Sequence, residues 1–517
     1  MKSLVSCAQA ARLDRDVQER AGLPPGLLME DASLRLWDAL RSLEAGLDRG
    51  ARLTALCGSG NNAGDALAVL RHARFAGFEN LAAILASSKP GELALAQLGY
   101  LKALGIAVFS WEDEPEACRS LIERSAVLLD GIAGTGLRGP VRENLASLMR
   151  VAADSGRPVA AVDIPSGVSD ECGPDSLILG ARWTLAIEPR KSALYFPAVR
   201  PFCGDIVPVG GIFPESDYPA PAVELLEKED LPRLVPPPPA SAHKGTRGRV
   251  AVFAGSIGAT GAPAMASQAA LAAGAGLVAV FASPDILPIL SAKLDAVMVK
   301  PEPERVEAED WRRWDAILLG PGWGRSAKNT DTLRLILSAG RPAVLDADAI
   351  ELYGSLAAEG FVAPGPLLLT PHAAEFARLA GVSVDEALAN PLRVLPGAAE
   401  KFRAVIALKS HCTWIASPAG RLAVWEGMES ALATAGSGDV LAGAAAALLA
   451  AAERRSSGAT SATSAASDAA FDAAFDAACA AVIAHGLAGR LARSAQGWFQ
   501  APALIEEIGR TLGRATP

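Results

Sequence analysis

In the first half of the chain, short apolar runs typical of buried strands alternate with longer segments of helical periodicity. Strands that are buried on both faces are apolar throughout, so this alternation predicts a parallel sheet with helices on both faces. We therefore predict an α/β fold for this half. Its strands are expected at residues 52–57, 81–86, 126–130, 158–164 and 183–187.

The second half repeats this pattern and predicts another open α/β layer. Residues 451–481 do not fit, because they are rich in Ala, Ser and Thr and carry a tandem Phe-Asp-Ala-Ala. We interpret them as a biased insertion that passes from loop into helix. The strands of this half are expected at residues 249–253, 277–281, 316–319, 343–345, 366–369 and 404–408.

A run of four prolines, residues 236–239, separates the two halves. Polyproline continues neither an α-helix nor a strand, so this run is the natural linker. The predicted domains are residues 1–235 and 243–517, joined by a linker at 236–242. Each has a length suited to a single α/β domain.

Composition narrows the class of protein. The chain has 48 Lys and Arg against 57 Asp and Glu, a net charge of −9, whereas a nucleic-acid binder needs clustered positive charge. The seven cysteines are scattered without a C-x-x-C pair, which argues against a disulfide framework or structural zinc. The longest uncharged Ala/Leu run, 440–452, is too short to span a bilayer. We expect a cytoplasmic protein with no nucleic-acid or membrane partner.

The glycine-rich run 57–65, Cys-Gly-Ser-Gly-Asn-Asn-Ala-Gly-Asp, follows one predicted strand and precedes a helical segment. Glycines let a ligand approach the backbone, and the N–H groups at a helix start can hold an anion. An ordinary tight turn would explain the glycines equally well. The side chains of Asn61, Asn62 and Asp65, however, supply more polar groups than a turn requires.

Two further carboxylates, Asp130 and Asp163, stand at the ends of predicted strands. Each could simply cap a helix or sit in a turn. Because ligands bind beyond the carboxyl ends of parallel strands, three such ends together predict a site, and its oxygen atoms suit a hard cation.

These motifs, in this order, resemble the NAD(P)HX epimerase domain, whose substrate is hydrated NADH or NADPH. The resemblance rests on residues 28–32, 60–65, 130–136 and 163–167. It implies a Rossmann-like three-layer fold, a potassium site and an acid/base residue. The implied residues are Asn61, Asn62, Ala63, Gly64, Asp65, Gly134, Thr135 and Gly136 for the substrate, Asn62, Asp130 and Ser166 for potassium, and Asp163 for catalysis.

The chain departs from the family's usual Asn-Asn-Gly-Gly-Asp-Gly at Ala63 and Ala66. A methyl group at residue 63 is expected to narrow the ligand space or to disfavour a positive φ there.

In the second half, Gly436-Ser-Gly438-Asp439 opens a long Ala/Leu segment. A Gly-x-Gly-Asp at a helix start offers N–H groups to a phosphate, and its Asp can accept a proton from an attacking hydroxyl. The alternative is an acidic residue that merely favours the helix dipole.

Together with six other motifs, this string is similar to the ADP/ATP-dependent NAD(P)H-hydrate dehydratase, a ribokinase-like α/β family. The six motifs lie at residues 243–248, 255–262, 320–324, 345–349, 370–375 and 409–413. The resemblance implies that Asp439 is the base and that magnesium bridges the phosphate oxygens. It places Ala262, Gly322, Gly324 and His372 at the substrate, and Lys409, Ser410, His411, Cys412, Thr413, Gly436 and Gly438 at the nucleotide.

The two resemblances imply one function: epimerisation of R and S NADHX or NADPHX, then dehydration of the S form at the expense of ADP or ATP. Potassium and magnesium are the expected ions, and a homo-oligomer is expected. The alternatives are a ribokinase-like small-molecule kinase with a non-catalytic N-terminal binding module, or a first half that acts only as a sensor or interface. His485, on a late Ala-rich segment, is expected to be structural.

Overall fold

The computed structural model describes residues 1–43, 47–87, 89–303, 307–456 and 464–515. The chain forms two compact units: residues 3–223 with 388–390, and residues 1–2 with 224–387 and Pro391 onward. The first unit thus ends before the proline run, because Glu224 already pairs with Ala423 in the second unit's sheet. The proline run follows, rather than precedes, the first strand of the second unit.

The first unit alternates strands and helices. Its elements, with those at its margins, are β1 (Lys2–Leu4), α1 (Cys7–Ala21), α2 (Pro25–Leu43), β2 (Leu53–Cys57), α3 (Asn61–Phe75), β3 (Leu81–Leu85), α4 (Glu92–Ala103), β4 (Ala107–Ser110), α5 (Pro115–Glu123), β5 (Val127–Gly131), α6 (Glu143–Asp154), β6 (Val159–Val162), β7 (Trp183–Ile187) and β8 (Asp205–Val209).

The sheet of this unit is parallel throughout, in the order β4-β3-β2-β5-β6-β7-β8. Successive β2 residues point to opposite faces, so Ala55 packs with α2 and α3 while Leu56 packs with α5 and α6. Helices therefore cover both faces. The predicted α/β fold and its three layers are confirmed for this unit.

The second unit is also α/β. Its elements, with those at its margins, are β9 (Val223–Leu225), α7 (Leu231–Leu234), β10 (Arg249–Phe253), α8 (Gly261–Ala272), β11 (Leu277–Ala282), α9 (Leu287–Lys293), β12 (Met298–Pro301), α10 (Ala308–Trp311), β13 (Ala316–Leu319), α11 (Ala327–Leu337), β14 (Ala343–Leu345), α12 (Asp348–Ala358), β15 (Leu367–Leu369), α13 (Ala373–Ala380), α14 (Val384–Ala389), α15 (Pro391–Phe402), β16 (Ala404–Leu408), β17 (Cys412–Ala416), β18 (Leu422–Glu426), α16 (Ser437–Ser456), α17 (Ser464–Gln496) and α18 (Ala501–Ala515).

From β9 to its far edge, its sheet runs in the order β9-β18-β17-β16-β15-β14-β13-β10-β11-β12. The pairs from β16 through β12 are parallel, whereas β17 is antiparallel to both neighbours. On one face, α8, α16, α17 and α18 build a core that consists largely of alanine. Helices α8 and α16 approach closely, since a Cβ at Gly443 would clash with the carbonyl oxygen of Ala266.

The last part of the segment predicted as an insertion, residues 474–481, belongs to this core. Residues 451–456 end α16 and residues 464–481 begin α17, while 457–463 lie outside the described residues. Phe475 and Cys479 are fully buried. The helical prediction is confirmed, but residues 474–481 are part of the packed unit rather than an addition to it.

Within the described residues, one helical stretch, 468–496 of α17, has the length and hydropathy of a membrane span. Most of its apolar window, 61%, is buried inside the unit, as expected for a core helix. The seven cysteines all lie in the described part of the chain, are buried and form no disulfide.

Candidate active sites

A cavity of about 770 Å³ lies in the first unit, where β2, β5, β6 and β7 end. Its volume is in the range of small-molecule sites, roughly 300–1,000 Å³. The sequence argument about strand ends thus locates it correctly. Of the predicted residues, those that line the cavity are Asn61, Asn62, Asp65, Gly134, Thr135, Gly136 and Asp163.

Asp163 directly follows β6 and has a φ of 66°, in the left-handed region that Asp tolerates better than most residues. Its Oδ1 accepts hydrogen bonds from Lys191 Nζ at 2.5 Å and from Ile187 N at 3.1 Å. The Lys191 ammonium also donates to Ile187 O at 2.9 Å, and its residue is 2% exposed. No described residue donates to Asp163 Oδ2, so this oxygen can exchange a proton with a ligand.

Asp65, near the start of α3, lines the same cavity. Burial, reinforced by the negative charge of Asp163, raises the pKa of Asp65 well above its usual value, while Lys191 acts in the opposite direction. Asp65 therefore keeps its proton to a higher pH than an exposed carboxyl group does. A protonated carboxyl group can donate a hydrogen bond as well as accept one.

Two predicted substrate residues, Ala63 and Gly64, do not line the cavity. Both are buried within α3, and Ala63 is helical, so the expected conflict between its methyl group and a positive φ does not arise. Gly64 lies against α2, where a Cβ would come within 2.5 Å of Met29 Cε. The structure therefore places both residues behind the cavity wall, where they pack.

The three predicted potassium residues converge at this wall, where Asn62 lines the cavity and Asp130 and Ser166 lie behind it. Ser166 donates to both oxygens of Asp130, through its backbone N at 2.8 Å and its hydroxyl at 2.5 Å. Asn62 Nδ2 and Ser166 Oγ both reach the carbonyl oxygen of Ala133, at 3.2 and 3.1 Å. Asp130 is fully buried, and burial raises its pKa to about 6, although Ser166 and Ile132 lower it.

This oxygen-rich cluster fits a cation, because a buried carboxylate needs a positive partner and no described lysine or arginine pairs with Asp130. Alkali ions are commonly bound by neutral oxygen atoms, and three are present here: Ser166 Oγ, Ala133 O and the amide oxygen of Asn62.

The second candidate site lies where β13, β14, β15 and β16 end side by side. Gly320–Gly324 follows β13, Asp346 follows β14, and His372 pairs with Lys409 across the ends of β15 and β16. Gly322 lies against Ala262, because a Cβ there would be 3.3 Å from the Ala262 methyl group.

Gly324 and His372 are fixed by neighbouring carboxylates. The backbone N of Gly324 donates to Asp348 Oδ2 at 2.8 Å. His372 caps α13: its Nδ1 accepts from Ala374 N at 3.1 Å and Glu375 N at 3.3 Å, and Glu375 accepts from the backbone N of His372. The His372 side chain is 52% exposed, so its imidazole remains accessible to a ligand.

Lys409 forms an ion pair with Asp346 Oδ1 at 2.9 Å, and Thr370 Oγ1 donates to the same oxygen at 2.7 Å. Burial lowers the pKa of Lys409, but the charges of Asp346 and Glu375 outweigh this and raise it. The ammonium also lies next to the start of α16, since a Cβ at Gly438 would be 3.4 Å from Lys409 Nζ. A positive charge and a helix N-terminus thus face the same space, as an anion site requires.

Asp439 lies in the first turn of α16. Burial and the charge of Asp346 raise its pKa to about 6, and Lys409 opposes this shift. A carboxylate with a pKa near the working pH is suited to general base catalysis.

Of the other predicted nucleotide residues, Ser410 and His411 form the turn between β16 and β17, next to Lys409, and Cys412 and Thr413 begin β17. Thr413 Oγ1 donates to Ser410 O at 3.0 Å, and the backbone N atoms of Gly427 and Met428 both donate to His411 O at 2.9 Å. Cys412 is fully buried in β17. Gly436 has a φ of 89° directly before α16.

Four residues near the sites had no role in the sequence analysis. Lys191 holds Asp163, and Asp346 holds Lys409. Ser437 starts α16, and His485 contacts it from α17. Position offered a signal for the first two, because each directly or closely follows a predicted strand, as Asp130 and Asp163 do.

Comparison with known proteins also divides the chain into two domains, one for each candidate site. Residues 250–510 match the family described as NAD(P)H-hydrate dehydratase, and residues 26–193 match the YjeF-related protein N-terminus family. The bifunctional NAD(P)H-hydrate repair enzyme Nnr of Gloeobacter violaceus is 34% identical over 472 residues, covering 87% of this chain and 89% of that protein. The corresponding enzyme of Moorella thermoacetica is 31% identical over 470 residues, covering 85% and 86%.

Among solved structures, the ADP/ATP-dependent NAD(P)H-hydrate dehydratase from Bacillus subtilis, co-crystallised with ATP and Mg²⁺, is 25% identical. The match covers 57% of this chain and 99% of the Bacillus subtilis chain, with a TM-score of 0.46. The dehydratase match alone spans more than half of the sequence, and the relatives extend the likeness over most of it. The chain therefore belongs to the family of bifunctional NAD(P)H-hydrate repair enzymes.

Proposed function

We propose that the first unit interconverts the R and S forms of hydrated NADH and NADPH through Asp163, and that the second unit dehydrates the S form through Asp439 with ADP or ATP. The observation that carries this proposal is that each carboxylate lies near a lysine, buried Lys191 or half-buried Lys409, beyond the carboxyl ends of parallel strands. The kinase alternative has no comparable support, because the family is one of hydrate repair enzymes.

Epimerisation inverts the hydroxylated carbon, C6, of the nicotinamide ring. The C6–O bond breaks as the hydroxyl takes up a proton and leaves as water, and it re-forms when water adds to the opposite face and gives a proton back. Asp163 Oδ2 is the atom proposed to exchange this proton, since Oδ1 is held by Lys191 and Ile187. Asp65 donates a hydrogen bond to the substrate, and the loops at Asn61 and at Gly134–Gly136 hold the dinucleotide.

Dehydration begins when the C6 hydroxyl attacks the terminal phosphorus of the nucleotide. Asp439 accepts the hydroxyl proton, the phosphoryl group moves to the C6 oxygen, and the nucleotide leaves with one phosphate fewer. Phosphate then departs from C6 while the adjacent carbon loses a proton, which restores the double bond of NAD(P)H. The N–H groups at Gly436–Gly438 and the Lys409 ammonium stabilise the phosphate charge.

Two ions complete the proposal. Asn62, Asp130 and Ser166 would hold potassium, which would neutralise the buried carboxylate and fix the start of α3, where Asn62 lies. Magnesium would accompany the nucleotide and neutralise its phosphate oxygens.

The experiment follows recovery of absorbance at 340 nm from a mixture of R and S NADHX with ATP or ADP, potassium and magnesium, while spontaneous epimerisation is slow. Recovery of nearly all the cofactor is the expected result. Recovery that stops at the S fraction would contradict the epimerase assignment, and no nucleotide-dependent recovery would contradict the dehydratase assignment.

We also propose a cytoplasmic homo-oligomer. The reduced state of seven buried cysteines supports a reducing compartment. Light scattering on the purified chain tests the oligomer, since a monomer mass would contradict it.

A further inference from the structure

His485, on α17, contacts the start of α16 through one ring nitrogen. Its Nε2 lies 3.0 Å from the carbonyl oxygen of Ser437 and 3.1 Å from the Ser437 hydroxyl oxygen. A carbonyl oxygen can only accept, so Nε2 must carry the hydrogen and donate it. Burial lowers the pKa of His485 to about 4, hence the ring is neutral and this tautomer is stable at neutral pH.

This tautomer determines what the Ser437 hydroxyl can do. Because Nε2 is a donor, the Ser437 oxygen can only accept from it, and its own hydrogen must point to another acceptor. No described residue offers that acceptor within hydrogen-bond distance, although Ser437 is 6% exposed. A nearly buried hydroxyl that lacks an acceptor destabilises the protein unless a ligand supplies one.

The neighbours of Ser437 indicate which ligand this is. Gly438 and Asp439 follow it in the first turn of α16, and the Lys409 ammonium lies beside Gly438. The backbone N–H groups of this turn have no partners within the helix. Apart from two carboxylates, that of Asp346, which pairs with Lys409, and that of Asp439, the groups at this turn are N–H donors, a hydroxyl and an ammonium, which together select an anion.

We propose that the Ser437 hydroxyl donates a hydrogen bond to a phosphate oxygen of the adenine nucleotide, and that His485 is the positioning residue that holds the hydroxyl in this orientation. This inference rests on the proposed nucleotide site at residues 436–439. It adds a side-chain contact to the backbone contacts there and gives His485 a role beyond packing.

The test measures the KM for ATP and kcat of the dehydratase in the full-length chain. Ser437→Ala is expected to raise the KM for ATP by about tenfold or more, the usual effect of losing a hydrogen bond to a charged group. His485→Leu is expected to raise it to a similar extent. His485→Gln, whose amide can donate from a similar position, is expected to restore the KM to within about threefold of the native value. The kcat should change much less than the KM.

The double variant Ser437→Ala/His485→Leu distinguishes positioning from independent contributions. If His485 acts through Ser437, the double variant binds ATP no more weakly than Ser437→Ala alone. Ser267→Ala, which removes a buried serine hydroxyl of α8 outside the site, is the matched control and should leave the KM unchanged.

Two results would overturn the inference: a KM that is unchanged by Ser437→Ala, or a His485→Leu variant that loses thermal stability but keeps its KM for ATP. Failure of the proposed function looks different, because then the native chain itself shows no ATP-dependent recovery. In that event equilibrium dialysis with ATP still decides the inference, since equal binding by the native chain and Ser437→Ala would refute it.

Discussion

Both units bury a lysine against an aspartate, but only in the first does the lysine hold the proposed catalytic carboxylate. Lys191 contacts Asp163 at 2.5 Å and has a side chain that is 3% exposed. Lys409 contacts Asp346 at 2.9 Å, is 20% exposed, and leaves Asp439 without a direct ion pair.

The difference shows how one type of ion pair serves two purposes. In the first unit it fixes the orientation of the oxygen atoms of Asp163. In the second unit the pair neutralises part of the lysine charge, so Asp439 keeps a pKa of about 6 instead of a lower one. The second carboxylate is thus set for proton acceptance near neutral pH, and Lys409 stays next to the phosphate site.

The largest effect is expected from Asp439→Asn, which removes the proposed base. Dehydratase kcat should fall by a factor of about 100 or more, the usual contribution of a general base. Exchange between R and S NADHX, followed by chromatography, should continue at the native rate. Substantial ATP-dependent recovery at 340 nm in this variant would show that another group accepts the proton.

Lys191→Met should instead impair the first unit, and it should lower both the stability of the chain and the rate of epimerisation. It leaves Asp163 buried without its cation, at a cost of about 3–5 kcal/mol. Calorimetry should show a lower unfolding temperature, and epimerisation should slow strongly while dehydration of S-NADHX persists. Lys102→Met, at an exposed lysine of the same unit, is the control and should change neither property. Native stability in Lys191→Met would contradict the importance of the pair.

The pH dependence of dehydratase kcat tests the role of Asp439 in the second site. Dehydratase kcat should decline as the pH falls through about 6, because Asp439 accepts a proton only while ionised. Asp346→Asn removes a negative charge that raises this pKa and leaves Lys409, which lowers it, so the decline should move to lower pH. A decline that stays at the same pH in Asp346→Asn would assign it to another group.

The smallest effect is expected at Ala63, which packs behind the cavity. Ala63→Gly should destabilise α3 by about 1 kcal/mol, the cost of glycine in a helix. The KM for NADHX in epimerisation should not change, since Ala63 does not line the cavity. A lower KM in this variant would mean that the methyl group restricts the ligand after all.

The strands that line both sites were predictable because they are apolar throughout, whereas edge strands were not. The strands β4 and β12 each pair on one side only, and their residues are exposed or half-buried, so the short apolar runs at 106–109 and 296–299 do not mark buried strands. Lys191 was missed because its partner Asp163 lies far away along the chain, and a buried lysine cannot be told from a surface lysine by its neighbours in sequence. The same holds for Ser437, whose significance depends on the hydrogen bond from His485.

The alanine-rich packing of α16 has a thermodynamic consequence for the site at its start. Alanine has no side-chain rotamers to lose, so burying the body of α16 against α8 costs little side-chain entropy. The contact at Gly443 is made by backbone atoms, which cannot rearrange as long side chains can. The helix that bears Asp439 is therefore held in register at low entropic cost, and its first turn is already ordered when the nucleotide arrives.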